Sequence, residues 1–130
     1  MLPGPINSRT ERYDICKMIE NIINEFREKY QSSRIRFWYP AENDYALEHC
    51  YYMAKINDLV HSPSYYRFNK EEIIASCFFM WNTLETLRYL FFNIIDKCQE
   101  HKNVLLNFDN ISYGFFIHNN VAYLTIRGWE

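Results

Sequence analysis

VLLNFDN-ISYGFFIHNN-VAYLTIR, from Val104 to Arg127, is the stretch on which the fold turns. Asp109-Asn110 and Asn119-Asn120 separate three runs rich in apolar, aromatic and β-branched residues. Both links are residue pairs that tolerate the positive φ of two-residue hairpin turns. Pairing outward from the first link sets Phe108 against Ile111, Leu106 against Tyr113 and Val104 against Phe115. Pairing outward from the second sets Ile117 against Ala122, Phe115 against Leu124 and Tyr113 against Ile126. All these side chains fall on one face. The other face carries Asn107, Ser112, Gly114, His118, Thr125 and Arg127, with Leu105, Phe116, Val121 and Tyr123 among them. Two separate turns therefore agree on one apolar face, and predict an antiparallel meander of strands 104–108, 111–118 and 121–127.

Upstream the periodicity is helical. Ser8 and Glu11 stand at capping-box spacing, and Ile15, Met18, Ile19, Ile22, Ile23, Phe26 and Tyr30 follow at steps of three and four. That stripe predicts a helix over 9–31, with Lys17, Glu20, Asn24, Arg27 and Glu28 on its opposite, solvated face. Arg34 to Tyr39 alternates and stops at Pro40, which predicts a short extra edge strand. Ala46, Cys50, Met53, Ile56 and Val60 predict a second helix over 43–60. Asn69 and Glu72 repeat the capping-box spacing, with Phe68 and Ile73 as a hydrophobic staple. From Ile73 an apolar seam runs through Cys77, Met80, Leu84, Leu87, Phe91, Ile94 and Cys98. A third, long, central helix over 70–101 is the expectation. Glu85 and Arg88 inside it argue against a membrane span. The expected class is α+β: three helices packed on a C-terminal meander in one domain spanning 1–130, with residues 1–7 as a flexible arm.

The 130 residues carry a formal net charge of −2 and 18 % aromatic side chains. A chain of this size buries roughly two thirds of its unfolded surface. So weak a charge supplies no long-range attraction for nucleic acid or anionic lipid. The first residues lack a basic region followed by an apolar run, so no signal peptide is read there. Cys16, Cys50, Cys77 and Cys98 lie among apolar neighbours, which reads as buried reduced thiols and a cytoplasmic address.

Chemistry-bearing motifs are scarce. The sequence holds no glycine-rich phosphate loop, nucleophile elbow, H-E-x-x-H, C-x-x-C or calcium loop. Cys98 and His101 stand at a helical three-residue step, as zinc ligands would, but the plainer reading places His101 at a helix C-terminus. Adjacent His49 and Cys50 point apart on a helix and make a poor catalytic pair. No catalytic, cofactor or metal residue is assigned.

The remaining oddities are surface chemistry. Glu42, Asp44 and Glu48, with Glu71 and Glu72, form acidic groups. Tyr52, Tyr65, Tyr66, Arg67, Phe116 and Tyr123 add more aromatic and arginine surface than a core needs, and these residue types dominate protein–protein hot spots. The sequence therefore points to a non-catalytic protein-binding domain. The expected role is to neutralise a protein partner, as toxin-immunity proteins and antitoxins do, by occluding a basic toxin or nuclease. Tyr65 and Tyr66 are equally able to fold over helix three, and Phe116 and Tyr123 to be covered by helix one or two. A monomer or weak dimer is expected. Two alternatives stay open: nucleic-acid binding through Arg34, Arg36 and Trp38, and a small enzyme or ligand-binding domain using His118 and Tyr123.

Overall fold

The computed structural model describes residues 9–35, 40–63, 71–108 and 110–129. In chain order the elements are α1 (Arg9–Lys29), α2 (Pro40–Ile56), β1 (Glu71–Phe78), α3 (Thr83–Tyr89), α4 (Gln99–Asn107), β2 (Asn110–His118) and β3 (Val121–Trp129). The strands form one antiparallel sheet in the order β1-β3-β2. The class is α+β.

The second hairpin forms in the expected register: Ile117 faces Ala122, Phe115 faces Leu124 and Tyr113 faces Ile126. Asn119 and Asn120 take φ of 51° and 63°, the double left-handed turn that Asn accommodates. The first hairpin is a correction. Residues 104–108 are not a strand; Val104 to Asn107 close α4 and Phe108 leaves it. The third strand is β1, which pairs Ile73 with Ile126 and Ala75 with Leu124.

The long helix expected over 70–101 is a second correction, for the same stretch that supplies β1. Ile73 and Ala75 bury against the main core, while Glu72 and Ile74 point to the other covered face. A strand covered on both sides is apolar almost continuously, which imitates a buried helix. The chain then turns at Trp81, whose φ is 57°. Asn82 caps α3 by accepting the Glu85 amide at 2.8 Å. Beyond Tyr89 the helix widens into a π turn (Leu90–Ile94), tightens into a 3₁₀ turn (Ile95–Lys97) and stops at extended Cys98. His101 consequently sits near the start of α4, not at a helix C-terminus.

α1 and α2 lie near their expected positions, α2 starting three residues earlier and ending at Ile56. Both end in a left-handed residue, Gln31 and Asn57. The amides of Ser32 and Asp58 then reach back to the carbonyls of Arg27 and Met53, closing Schellman turns. The Ser8 cap lies outside the described residues, as do residues 36–39 of the expected edge strand. Arg34 and Ile35 have no regular structure.

The sheet separates two cores. On one face Ile73, Ile111, Phe115, Leu124 and Ile126 meet Ile19, Ile23 and Phe26 of α1, Leu87 and Phe91 of the α3 segment, and Leu105 of α4. Each fully buried side chain of this kind contributes about 1.5–3 kcal/mol. On the other face α2 lays Leu47, Cys50 and Met53 on Phe116 and Tyr123. Gly114 permits that approach, since a Cβ there would stand 2.3 Å from the Leu47 nitrogen.

The face of α1 expected to be solvated contains an exception. Arg27 is 1 % exposed. Its Nε donates to the Leu105 carbonyl at 2.7 Å and its Nη1 to Ser33 at 3.1 Å, and Nη2 reaches the Phe108 carbonyl. A guanidinium thus serves carbonyls at the C-terminal end of α4, which the helix itself leaves unpaired. Asn24 is buried too, accepting the Ile35 amide at 2.9 Å.

Candidate functional site

The sheet organises three regions in which function could reside. The first is a buried polar cluster where β1, β3 and the segment after α2 meet. Glu72 is 4 % exposed. Its Oε1 accepts from the Ser62 amide at 2.8 Å and faces His61 Nδ1 at 2.9 Å. Its Oε2 accepts from the Ser62 hydroxyl at 2.5 Å and from Arg127 Nε at 3.2 Å. Arg127 Nη2 also donates to Ser62 Oγ at 2.9 Å. Burial pushes the Glu72 carboxyl up, but the bonds from Ser62 and His61 outweigh it and hold the group below the usual carboxylate range.

Serine, histidine and glutamate invite comparison with a hydrolytic triad, and the geometry differs from one. A nucleophilic serine donates to the imidazole. Here the Ser62 hydroxyl donates straight to the carboxylate and is itself buried. The arrangement ties the segment after α2 to the sheet.

Cysteine and histidine chemistry is similarly occupied. Cys50 is fully buried, its Sγ 3.3 Å from both the Gly114 carbonyl and Thr125 Oγ1, and burial pushes its thiol up to about 12. Its neighbour His49 turns away to the Val60 carbonyl at 2.5 Å. All four cysteines are free thiols. Among the described residues no group of three His, Cys, Asp or Glu could hold a metal ion. Half-buried near the start of α4, His101 is held below its ordinary pKa by desolvation. A cavity of about 20 Å³ between Cys16, Asn43 and Tyr113 has room for about one water molecule.

The second region is the outer face of α2. Asp44, Tyr45, Glu48 and Tyr52 are all exposed, and their spacing puts them on one stripe. His49 stacks beside Tyr52, with ring centroids 6.1 Å apart. Of the residues the sequence singles out, Asp44, Glu48 and Tyr52 share this stripe, and Glu71 is exposed at the start of β1. Glu72, Phe116 and Tyr123 are not surface residues. Glu72 is drawn in by Ser62 and Arg127, and the two aromatics lie beneath α2, Tyr123 donating its hydroxyl to Asn57 Oδ1 at 3.3 Å. Tyr65, Tyr66, Arg67 and the side chain of Glu42 lie outside the described residues. Arg34 is exposed, and Arg36 and Trp38 lie outside the described residues.

The third region is the turn between β1 and α3, which the long-helix expectation conceals. Trp81 is 93 % exposed and Phe78 76 %. The turn beneath them is firmly tied. The Thr86 hydroxyl, wholly buried, receives the Met80 amide at 2.9 Å and lies 2.8 Å from the Asn82 carbonyl. The Phe79 amide reaches the Asn120 carbonyl at 2.7 Å, joining this turn to the β2–β3 hairpin. Beside Trp81 runs a groove of about 420 Å³ along Glu85, Arg88, Tyr89 and Phe92. Asn82-Thr-Leu-Glu85 has the same capping spacing as Asn69 and Glu72, and it is the local signal for the helix start.

No protein-family model matches the chain, and no curated protein is similar to it in sequence. No helix among the described residues is long and apolar enough to cross a membrane.

Proposed function

We propose that the chain is a non-catalytic protein-binding domain that neutralises a protein partner by occlusion, in the manner of toxin-immunity or antitoxin-like inhibitors. The observation that carries this reading is the exposed stripe of Asp44, Tyr45, Glu48 and Tyr52 on α2. The opposite side of the same helix is fixed to the sheet, so the stripe is presented on a rigid support, and little order is lost on binding. Tyrosines supply area with few rotors. The carboxylates favour a partner with a basic surface, speeding encounter and selecting among partners. A basic toxin or nuclease has that chemistry. Four free thiols suit a reducing, cytoplasmic setting.

The test is differential capture from the native host with the wild-type chain and with D44K/E48K/Y52A. A stoichiometric, basic protein that is retained by the first, lost with the second and inhibited when bound supports the reading. Recovery of no such protein, or equal recovery by a folded variant, overturns it.

A further inference from the structure

A different face, on the other side of the sheet from α2, is complementary to itself. Trp81, Glu85, Arg88, Tyr89 and Phe92 line one groove along α3 and its π turn, and Leu84 of the same helix is exposed as well. Their order along the chain runs from aromatic through acidic and basic to aromatic. Reversing α3 sets Glu85 against Arg88 and Arg88 against Glu85, while Trp81, in the turn before the helix, and Phe92, in the π turn after it, flank that pair at opposite ends.

We infer that this face binds a second copy of the chain, α3 packing antiparallel on α3 about a two-fold axis. A two-fold interface must be complementary to itself. In this arrangement the protruding indole of Trp81 enters the partner copy's groove against Phe92. Glu85 of each copy meets Arg88 of the other, and Leu84 and Tyr89 close the sides. Charge supports this occupant. The groove holds one carboxylate and one guanidinium a turn apart, which suits a reversed copy of the same helix better than a strongly charged ligand. Arg88 already binds Glu25 of its own chain through two bonds, at 2.8 and 3.0 Å. That pair is exposed and weak, and the guanidinium has donors to share. The Thr86-held turn fixes the backbone from which the indole projects. The face is one short helix with its two flanking turns, so the dimer is expected to be a weak one, with Kd on the order of 10–100 µM. Because α2 is on the opposite face, this association does not compete with the partner proposed above.

Sedimentation equilibrium from about 5 to about 200 µM spans that range. Wild type is expected to move from monomer to dimer, while W81A stays monomeric with an unchanged thermal melt. E85R and R88E each weaken association about tenfold or more, because each sets like charges against one another across the axis. The double swap E85R/R88E, made with E25Q so that the new carboxylate at position 88 does not face the Glu25 carboxylate of its own chain, recovers it, since opposite charges again meet with their positions exchanged. E25Q, which removes only the pair within one chain, leaves the dimer intact. A wild-type chain that remains monomeric throughout overturns the proposal and leaves the face to an unrelated partner. So does a dimer indifferent to W81A, or one that the double swap fails to recover.

Discussion

The backbone of Leu47 lies so close over Gly114 that a single added carbon would come within 2.3 Å of its nitrogen, with the Ala46 carbonyl carbon at 2.5 Å. A helix backbone is not a flexible side-chain tip, and relief requires α2 to lift from the sheet. Gly114→Ala is expected to destabilise the protein by about 3 kcal/mol. Urea unfolding monitored by circular dichroism checks this, and a loss below about 1 kcal/mol would show that α2 sits less tightly than described.

Arg27 serves carbonyls from three separate positions, two of them at the end of α4. Lysine keeps the charge but lacks the planar fork, and leaves buried carbonyls unpaired. Arg27→Lys is expected to cost about 2 kcal/mol. Hydrogen exchange should quicken most in α4, far away in sequence from the substitution.

Stability should fall in acid through two separate windows. His101 is held below its ordinary value by burial. The unfolded chain therefore binds that proton first, and stability declines as pH drops below about 6.5. Glu72 is also held low, so its contribution is complete above the unfolded carboxylate range and is lost as pH falls through the lower folded value. Melting curves across pH should show His101→Gln removing the upper window. Glu72→Gln should remove the lower one while costing about 3 kcal/mol at neutral pH, since it leaves Arg127 without its carboxylate.

Thiol labelling should rank the cysteines by burial. Cys50 is enclosed, with its thiol held protonated to about pH 12. The thiolate is the reactive form. Mass spectrometry after a native alkylation pulse should find Cys50 unmodified while Cys16 and Cys98, both half-buried, are labelled. Cys50 should react only at the rate of unfolding.

Local pattern and tertiary context divide the chain between them. Asn119-Asn120 and the alternation around it are legible in the sequence because a hairpin is closed by its own residues. The stripe of α1 is legible because its apolar residues repeat without competition. The segment 71–78 is not, because strand and buried helix look alike when both faces are covered. The end of α4 is equally obscure. Leu105 and Leu106 could join a strand or a helix, and the deciding cap comes from Arg27 on another element. On the surface, the acids and tyrosine of α2 can be picked out from spacing alone. The removal of Glu72, Phe116 and Tyr123 from the surface depends on Arg127 and on where α2 lands. Trp81 is hidden in the sequence by the apolar run around it, and exposure is a property of three dimensions.

The strand order carries a consequence for synthesis. β1 emerges from the ribosome well before β3, the only described strand with which it pairs. Until Val121–Trp129 has been made, the backbone edge of β1 has no described strand to pair with, although Ile73 and Ile74 already have helical neighbours, and a nascent chain in that state is open to association through that edge. The sheet therefore cannot be completed until the last strand is made, and a chaperone that shields unpaired strands would have its greatest effect on yield in that interval.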